Sequence, residues 1–161
     1  MDETYLRVGG KWTYLYRAVD STGATIDFLL SARRDAAAAK RFLQKALRSP
    51  GHPRPRVINV DGNPSYPKVI AELKKTGELG RRCRCRPVRY LNNIVEQDHR
   101  AIKRRVRASQ GFRSFRSARR TIQGMEMINM IRKRQVRWLP KGDVAGQVQF
   151  VAGLLGLVAA A

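Results

Sequence analysis

Polar and apolar residues alternate through the opening of the chain, and this two-residue period predicts β-strands rather than helices. Residues 2–8 alternate. So do residues 11–19, Lys11-Trp12-Thr13-Tyr14-Leu15-Tyr16-Arg17-Ala18-Val19, which are rich in the aromatic and β-branched side chains that suit a pleated surface. Gly9-Gly10 between them predicts a two-residue hairpin turn. Asp20-Ser21-Thr22-Gly23 predicts a second turn and residues 24–30 a third strand, giving an antiparallel meander.

The period then lengthens. Asp35 stands where it can cap a helix of alanines and long side chains that ends near Arg48. Residues 49–55, Ser-Pro-Gly-His-Pro-Arg-Pro, break that helix and are the one linker-like piece. Residues 56–60 are short, apolar and β-branched, a buried strand that ends at Asp61-Gly62. A helix over 65–75, a basic strand over 82–88 and a helix from Asn92-Asn93 to about Arg107 follow. The last predicted helix, 115–136, places Phe115, Ala118, Ile122, Met125 and Ile128 at helical spacing. The order βββ-α-β-α-β-α-α predicts an α/β fold, a mixed sheet flanked by helices, because later strands must return in parallel through crossovers. That order matches the ribonuclease H-like architecture. The reading assigns residues 1–140 to one catalytic domain and 141–161 to a tail packed on it.

Composition narrows the function. At 161 residues and 43% apolar content the chain can bury a core, which excludes a disordered basic tail despite a formal charge of +21. Such a charge calls for a polyanion, with nucleic acid ahead of an acidic membrane. Cys83 and Cys85 are too close in sequence to brace a fold by a disulfide, so a reduced cytoplasmic setting, on the nucleoid, is expected. With His52 and His99 they could nominally form a Cys2His2 zinc site, but the spacing is foreign to zinc fingers and packed thiols are the better reading. The apolar run 150–161 is too short to span a bilayer.

The few acids carry the chemistry. Asp2 lies on the first strand, Asp61 at the end of the fourth and Glu96 on a helix, with 34 residues between the last two. Carboxylates at strand ends face the crevice where α/β folds bind ligands. Three hard oxygen donors there suit a pair of Mg²⁺ ions, Mn²⁺ being the alternative. At about 100° per residue, Asn92, Asn93, His99, Arg100, Lys103 and Arg107 fall on the Glu96 side of the helix. Ile94, Val95, Ala101, Ile102 and Val106 fall on the other. Asp98 falls inward and is expected to pair with an arginine, and Trp12 and the second-strand tyrosines are read as core. A lone acid among cations and amides is the pattern of a face shaped for a phosphate backbone, with Arg104 beside it.

Asp2-Glu3-Thr4-Tyr5, Lys11-Trp12-Thr13-Tyr14-Leu15-Tyr16-Arg17-Ala18-Val19-Asp20, Asp61-Gly62-Asn63-Pro64-Ser65-Tyr66, Tyr90-Leu91-Asn92-Asn93-Ile94-Val95-Glu96-Gln97-Asp98-His99-Arg100 and Lys141-Gly142-Asp143-Val144 together resemble the IS6/IS26 family of bacterial insertion-sequence transposases. The resemblance implies a ribonuclease H-like DDE catalytic core in which Asp2, Asp61 and Glu96 bind metal and perform catalysis. It further implies a DNA contact from Lys103, to which the helix-face reading adds Arg100, His99, Arg104, Arg107 and Asn93. Cleavage of element ends, joining to target DNA, and a homodimer or larger synaptic complex are implied as well. The family carries a helix-turn-helix region and more of the first strand upstream of the first Asp, so an N-terminally truncated form is expected. The rival expectations are a ribonuclease H-like nuclease that hydrolyses without joining, and an inactive remnant that only binds DNA.

Overall fold

A computed structural model of the chain describes residues 1–88, 93–108, 111–136, 139 and 143–154. Strands β1 (Asp2–Val8), β2 (Lys11–Val19) and β3 (Thr25–Ser31) form the expected antiparallel meander, with β2 central. Gly9 and Gly10 both have positive φ, 55° and 76°. That is the backbone of a two-residue turn whose twist matches the flanking strands, and glycine enters it without a Cβ penalty. Helix α1 (Ala36–Leu47) starts where predicted: the Asp35 carboxylate accepts a hydrogen bond from the Ala38 amide at 2.7 Å. After the Pro-rich segment come β4 (Val57–Val60), α2 (Ser65–Lys75), β5 (Arg84–Pro87), α3 (Asn93–Ala108), α4 (Phe115–Arg132) and α5 (Val144–Leu154).

The expected single mixed sheet is divided. β4 and β5 pair in parallel as a separate two-stranded sheet, as a βαβ crossover through α2 requires. A hydrogen bond links the two sheets, the Met1 ammonium donating to the Asn59 carbonyl at 2.7 Å.

Alternation places the two sides of the meander against different helices. Tyr16 and Ala18 of β2 enter the main core with Phe42 and Leu43 of α1, Val60 of β4 and Ile70 of α2, all buried. The Tyr16 and Phe42 rings stand 5.6 Å apart. On the other side β1 and β2 meet α3. There Arg17 is fully buried and its guanidinium lies 3.2 Å from Asp98, the arginine partner predicted for that acid.

Two expectations are corrected. Trp12 is not core: it is 52% exposed on the hairpin, edge-on to Tyr5 at 5.1 Å and covered by the Arg7 guanidinium. The strand end leaves nothing above it to pack against. On α3 the inward stripe is Val95, Asp98, His99, Ile102 and Val106, so Ala101 faces outward, and His99 takes the inward place. The tail, read only as apolar, forms α5 over its described part.

By contact the chain forms two compact units, Met1–Ala118 and Arg119–Ala161. All of the candidate site residues lie in the first. Among the described residues no helix is long and apolar enough to cross a membrane.

Candidate active site

β1 holds neighbouring acids on opposite sides of the meander, because successive strand residues point opposite ways. Asp2 shares the α3 side with Arg17, its register partner. One Asp2 oxygen accepts from the Glu3 amide at 2.8 Å, and the other lies 3.8 Å from His99 Nδ1. Burial pushes the Asp2 carboxyl up to about 6; the Glu3 amide opposes this and the neighbouring Asp61 charge adds to it. Asp61 follows the last residue of β4 and is likewise raised, first by burial and then by the charge of Glu3. Its Oδ1 accepts from the Asn63 amide at 3.2 Å, closing the turn into α2. Folding therefore brings Asp2 and Asp61 close enough to repel, although they are far apart in sequence.

His99 is buried beside Asp2. Burial, Arg17 and Lys103 lower its pKa to about 3, so the ring is neutral near pH 7. Its approach to Asp2 is then a polar contact and not an ion pair.

Glu96 stands apart from the two aspartates in character. It is half exposed on α3, and its carboxylate lies 3.7 Å from Arg100 one turn later. Arg100, Arg104 and Arg107 are exposed on the same helix. Lys103 is half-buried, its ammonium 4.5 Å from the Tyr5 ring centroid, a cation–π contact that ties α3 to β1. Asn93 opens α3, but its side chain, like all of Asn92, lies outside the described residues. Among the described residues no group of three or more His, Cys, Asp or Glu side chains is arranged to hold a metal ion.

One residue escaped the sequence reading. Glu3, 4% exposed at its side chain, accepts from Asn63 Nδ2 at 2.6 Å and from Arg34 Nε at 2.6 Å. It thereby connects the strand of Asp2 to the turn that carries Asp61. The charge on Glu3 contributes to raising the phenols of Tyr66 and of Tyr16, the latter to about 12, with burial the larger cause for both. Alternation puts Glu3 on the inner side, but nothing in the sequence pairs it with Arg34.

Two acids thus stand in a half-buried setting near a helix that carries several cations. Residues 1–135 match a family described as a DDE domain. The chain is 38% identical over 139 residues to a transposase for the insertion sequence-like element IS431mec of Staphylococcus aureus, covering 86% of this chain and 59% of the relative. The same figures hold for a transposase for insertion sequence element IS257 in transposon Tn4003 of that species. An uncharacterized protein of Yersinia pseudotuberculosis is 40% identical over 85 residues, 52% of this chain and 79% of the relative. No solved structure matches. The chain belongs to the DDE-domain transposases of IS6-family insertion sequences. It spans about 59% of the length of the transposases it matches.

Proposed function

We propose that this chain is the ribonuclease H-like catalytic domain of such a transposase and carries out metal-dependent DNA cleavage and strand transfer. The observation that carries the reading is the meeting of Asp2 and Asp61, both part-buried and both raised above the usual carboxylate range, first by burial and, for Asp2, also by the Asp61 charge. Their donor chemistry fits Mg²⁺ or Mn²⁺: all oxygen, partly hydrated, open to a substrate phosphate. Asp2 and Asp61 would hold the ions, and Glu96, half exposed on α3 beside Arg100, would complete the set. Bound there, two such ions supply charge stabilisation to both the attacking and the leaving oxygen of an in-line displacement.

The chain's own residues do the rest. Arg100, Lys103, Arg104 and Arg107 offer one helix face to the DNA backbone. Buried Arg17 and neutral His99 exclude water behind Asp2, and the Glu3 amide holds one of its oxygens. No side chain serves as nucleophile; a water or a DNA 3′-hydroxyl attacks phosphorus. The partners are DNA ends, target DNA and further copies of the chain in a dimer or larger complex.

A joining assay with a duplex bearing a free 3′-hydroxyl, Mg²⁺ and target DNA tests the reading. Joined product from the wild type, lost in Asp61→Asn and in Glu96→Gln at equal soluble protein, is the expected result. Hydrolysis without joining would establish the nuclease instead, and binding without either would leave a DNA-binding remnant.

A further inference from the structure

Away from the aspartates, at the opposite end of β4, the approaches to β4 and β5 enclose a cleft of about 520 Å³. Arg54, Arg56, Arg82 and Arg84 line it, and Val57 and Cys83 contribute its apolar part. The strands enter side by side, Val57 in register with Arg84 and the Arg84 amide donating to the Arg56 carbonyl at 2.9 Å. Only Arg84 lies on a strand; Arg54 and Arg56 sit on the irregular segment that leads into β4, and Arg82 on the turn before β5. Pro53 and Pro55 restrict the backbone that presents the first pair.

All four arginines are exposed, and among the described residues none pairs with an acid. Like charges brought across adjacent strands are unfavourable. Two other arginines of this unit do meet carboxylates, Arg17 with Asp98 and Arg34 with Glu3. Here no acid among the described residues supplies the counter-charge, which leaves a place for an anionic ligand. Every cation is arginine and none is lysine, which favours a planar, forked match to phosphate oxygens over a diffuse attraction to a charged surface.

We propose that this cleft is a second phosphodiester-binding site, which grips the DNA backbone away from the reacting phosphate. At about 3.3 Å per residue, β4 separates Val57 from Asp61 by about 13 Å, or about four base-pair steps of duplex. One DNA molecule can therefore occupy both places. The identity of the polyanion as DNA rests on the transposase reading above; the arginine geometry does not.

The test is duplex binding by the full chain across a salt series. Arg56→Gln with Arg84→Gln, both at exposed positions, should flatten log K against log salt by about 1.8, since each lost phosphate contact removes about 0.9. Arg48→Gln with Lys75→Gln, an equal charge change on α1 and α2, should leave the slope near wild type. A cleft variant that keeps the wild-type slope, or shifts no more than the control pair, overturns the proposal. So does loss of binding to phosphatidylserine vesicles with duplex binding intact, which would assign the arginines to a membrane. Joining activity reports separately: a wild-type chain that fails to join DNA defeats the transposase reading, while the slope still decides the cleft.

Discussion

Asp2 and His99 are buried in the same spot with opposite preferences. The folded pKa of Asp2 is raised to about 6 from 3.8, so above that window the fold bears a buried charge that the unfolded chain carries in water. Asp2 therefore lowers stability as pH rises through about 4 to 6. His99, depressed to about 3 from 6.5, does the reverse: its stabilising neutral form is fully present above 6.5 and its contribution is lost as pH falls through that range. The two offset each other between about pH 4 and 6. Asp2→Asn should raise metal-free stability at pH 7 by about 1–3 kcal/mol, and it should leave the fold more acid-labile than wild type. Urea melts from pH 4 to 8 without divalent ions check both. A mutant as flat as wild type between pH 4 and 6 would contradict the His99 assignment. At Glu3, replacement by Ala leaves Asn63 and Arg34 without their shared acceptor. A shift of about 1 Å between the two aspartates is enough to lower a joining rate about 100-fold. Glu3→Gln, which keeps an acceptor for Asn63, should recover part of that loss. Equal rates in the two variants would remove Glu3 from the site.

Among the elements, the β1–β2 hairpin and α3 are the pieces on which the site depends. Gly9 is constrained twice, by its φ of 55° and by the Arg113 carbonyl oxygen, 2.9 Å from where a Cβ would stand. Gly9→Ala should therefore cost more than a glycine-to-alanine exchange in open space, about 1–3 kcal/mol. Gly10→Ala, with the same φ sign but open surroundings, should cost less. Thermal melts of the pair separate contact from backbone strain, and equal losses would show that the Arg113 contact yields freely. On α3 Lys103 meets the Tyr5 ring and so ties the helix to β1, beside the DNA contact proposed for it. Lys103→Ala should weaken binding to all duplex sequences and flatten the salt slope by about 0.9. An unchanged slope with lowered stability would mean that Lys103 is only a strut between α3 and β1.

Taken as a whole, the molecule is a core-forming α/β unit that carries a charge of +21. Its exposed cations are widely spread, and two groups of them stand out in the first unit, on the outer face of α3 and in the cleft at the start of β4 and β5. Binding to duplex DNA should then be strongly salt-dependent and largely sequence-independent. If both places engage the backbone together, combining Lys103→Ala with the cleft substitutions should lower the salt slope additively, by about 2.7. A combined effect no larger than either alone would mean that the two places compete for one DNA segment.

The sequence by itself determined the elements up to α4, and the family. Alternation over residues 2–8 and 11–19, the Gly9-Gly10 turn, the Asp35 cap and the short apolar strand before Asp61 are local signals, set by backbone sterics and side-chain period. The motifs around Asp2, Asp61 and Glu96 were legible for the same reason, since each is a run of neighbouring residues. Tertiary structure decided what depends on partners distant in the chain. It turned His99 inward and Ala101 outward, because the buried arc of α3 is set by where β1 and β2 lie and not by the helical wheel alone. It left Trp12 in the open at a strand end, and it divided the sheet. It also joined Glu3 to Arg34 and Asn63, contacts across 31 and 60 residues that no local pattern encodes. Charge shifts follow the same rule: the carboxyl of Asp2 is ordinary in the sequence and becomes a strained acid only when folding removes its water and brings Asp61 beside it.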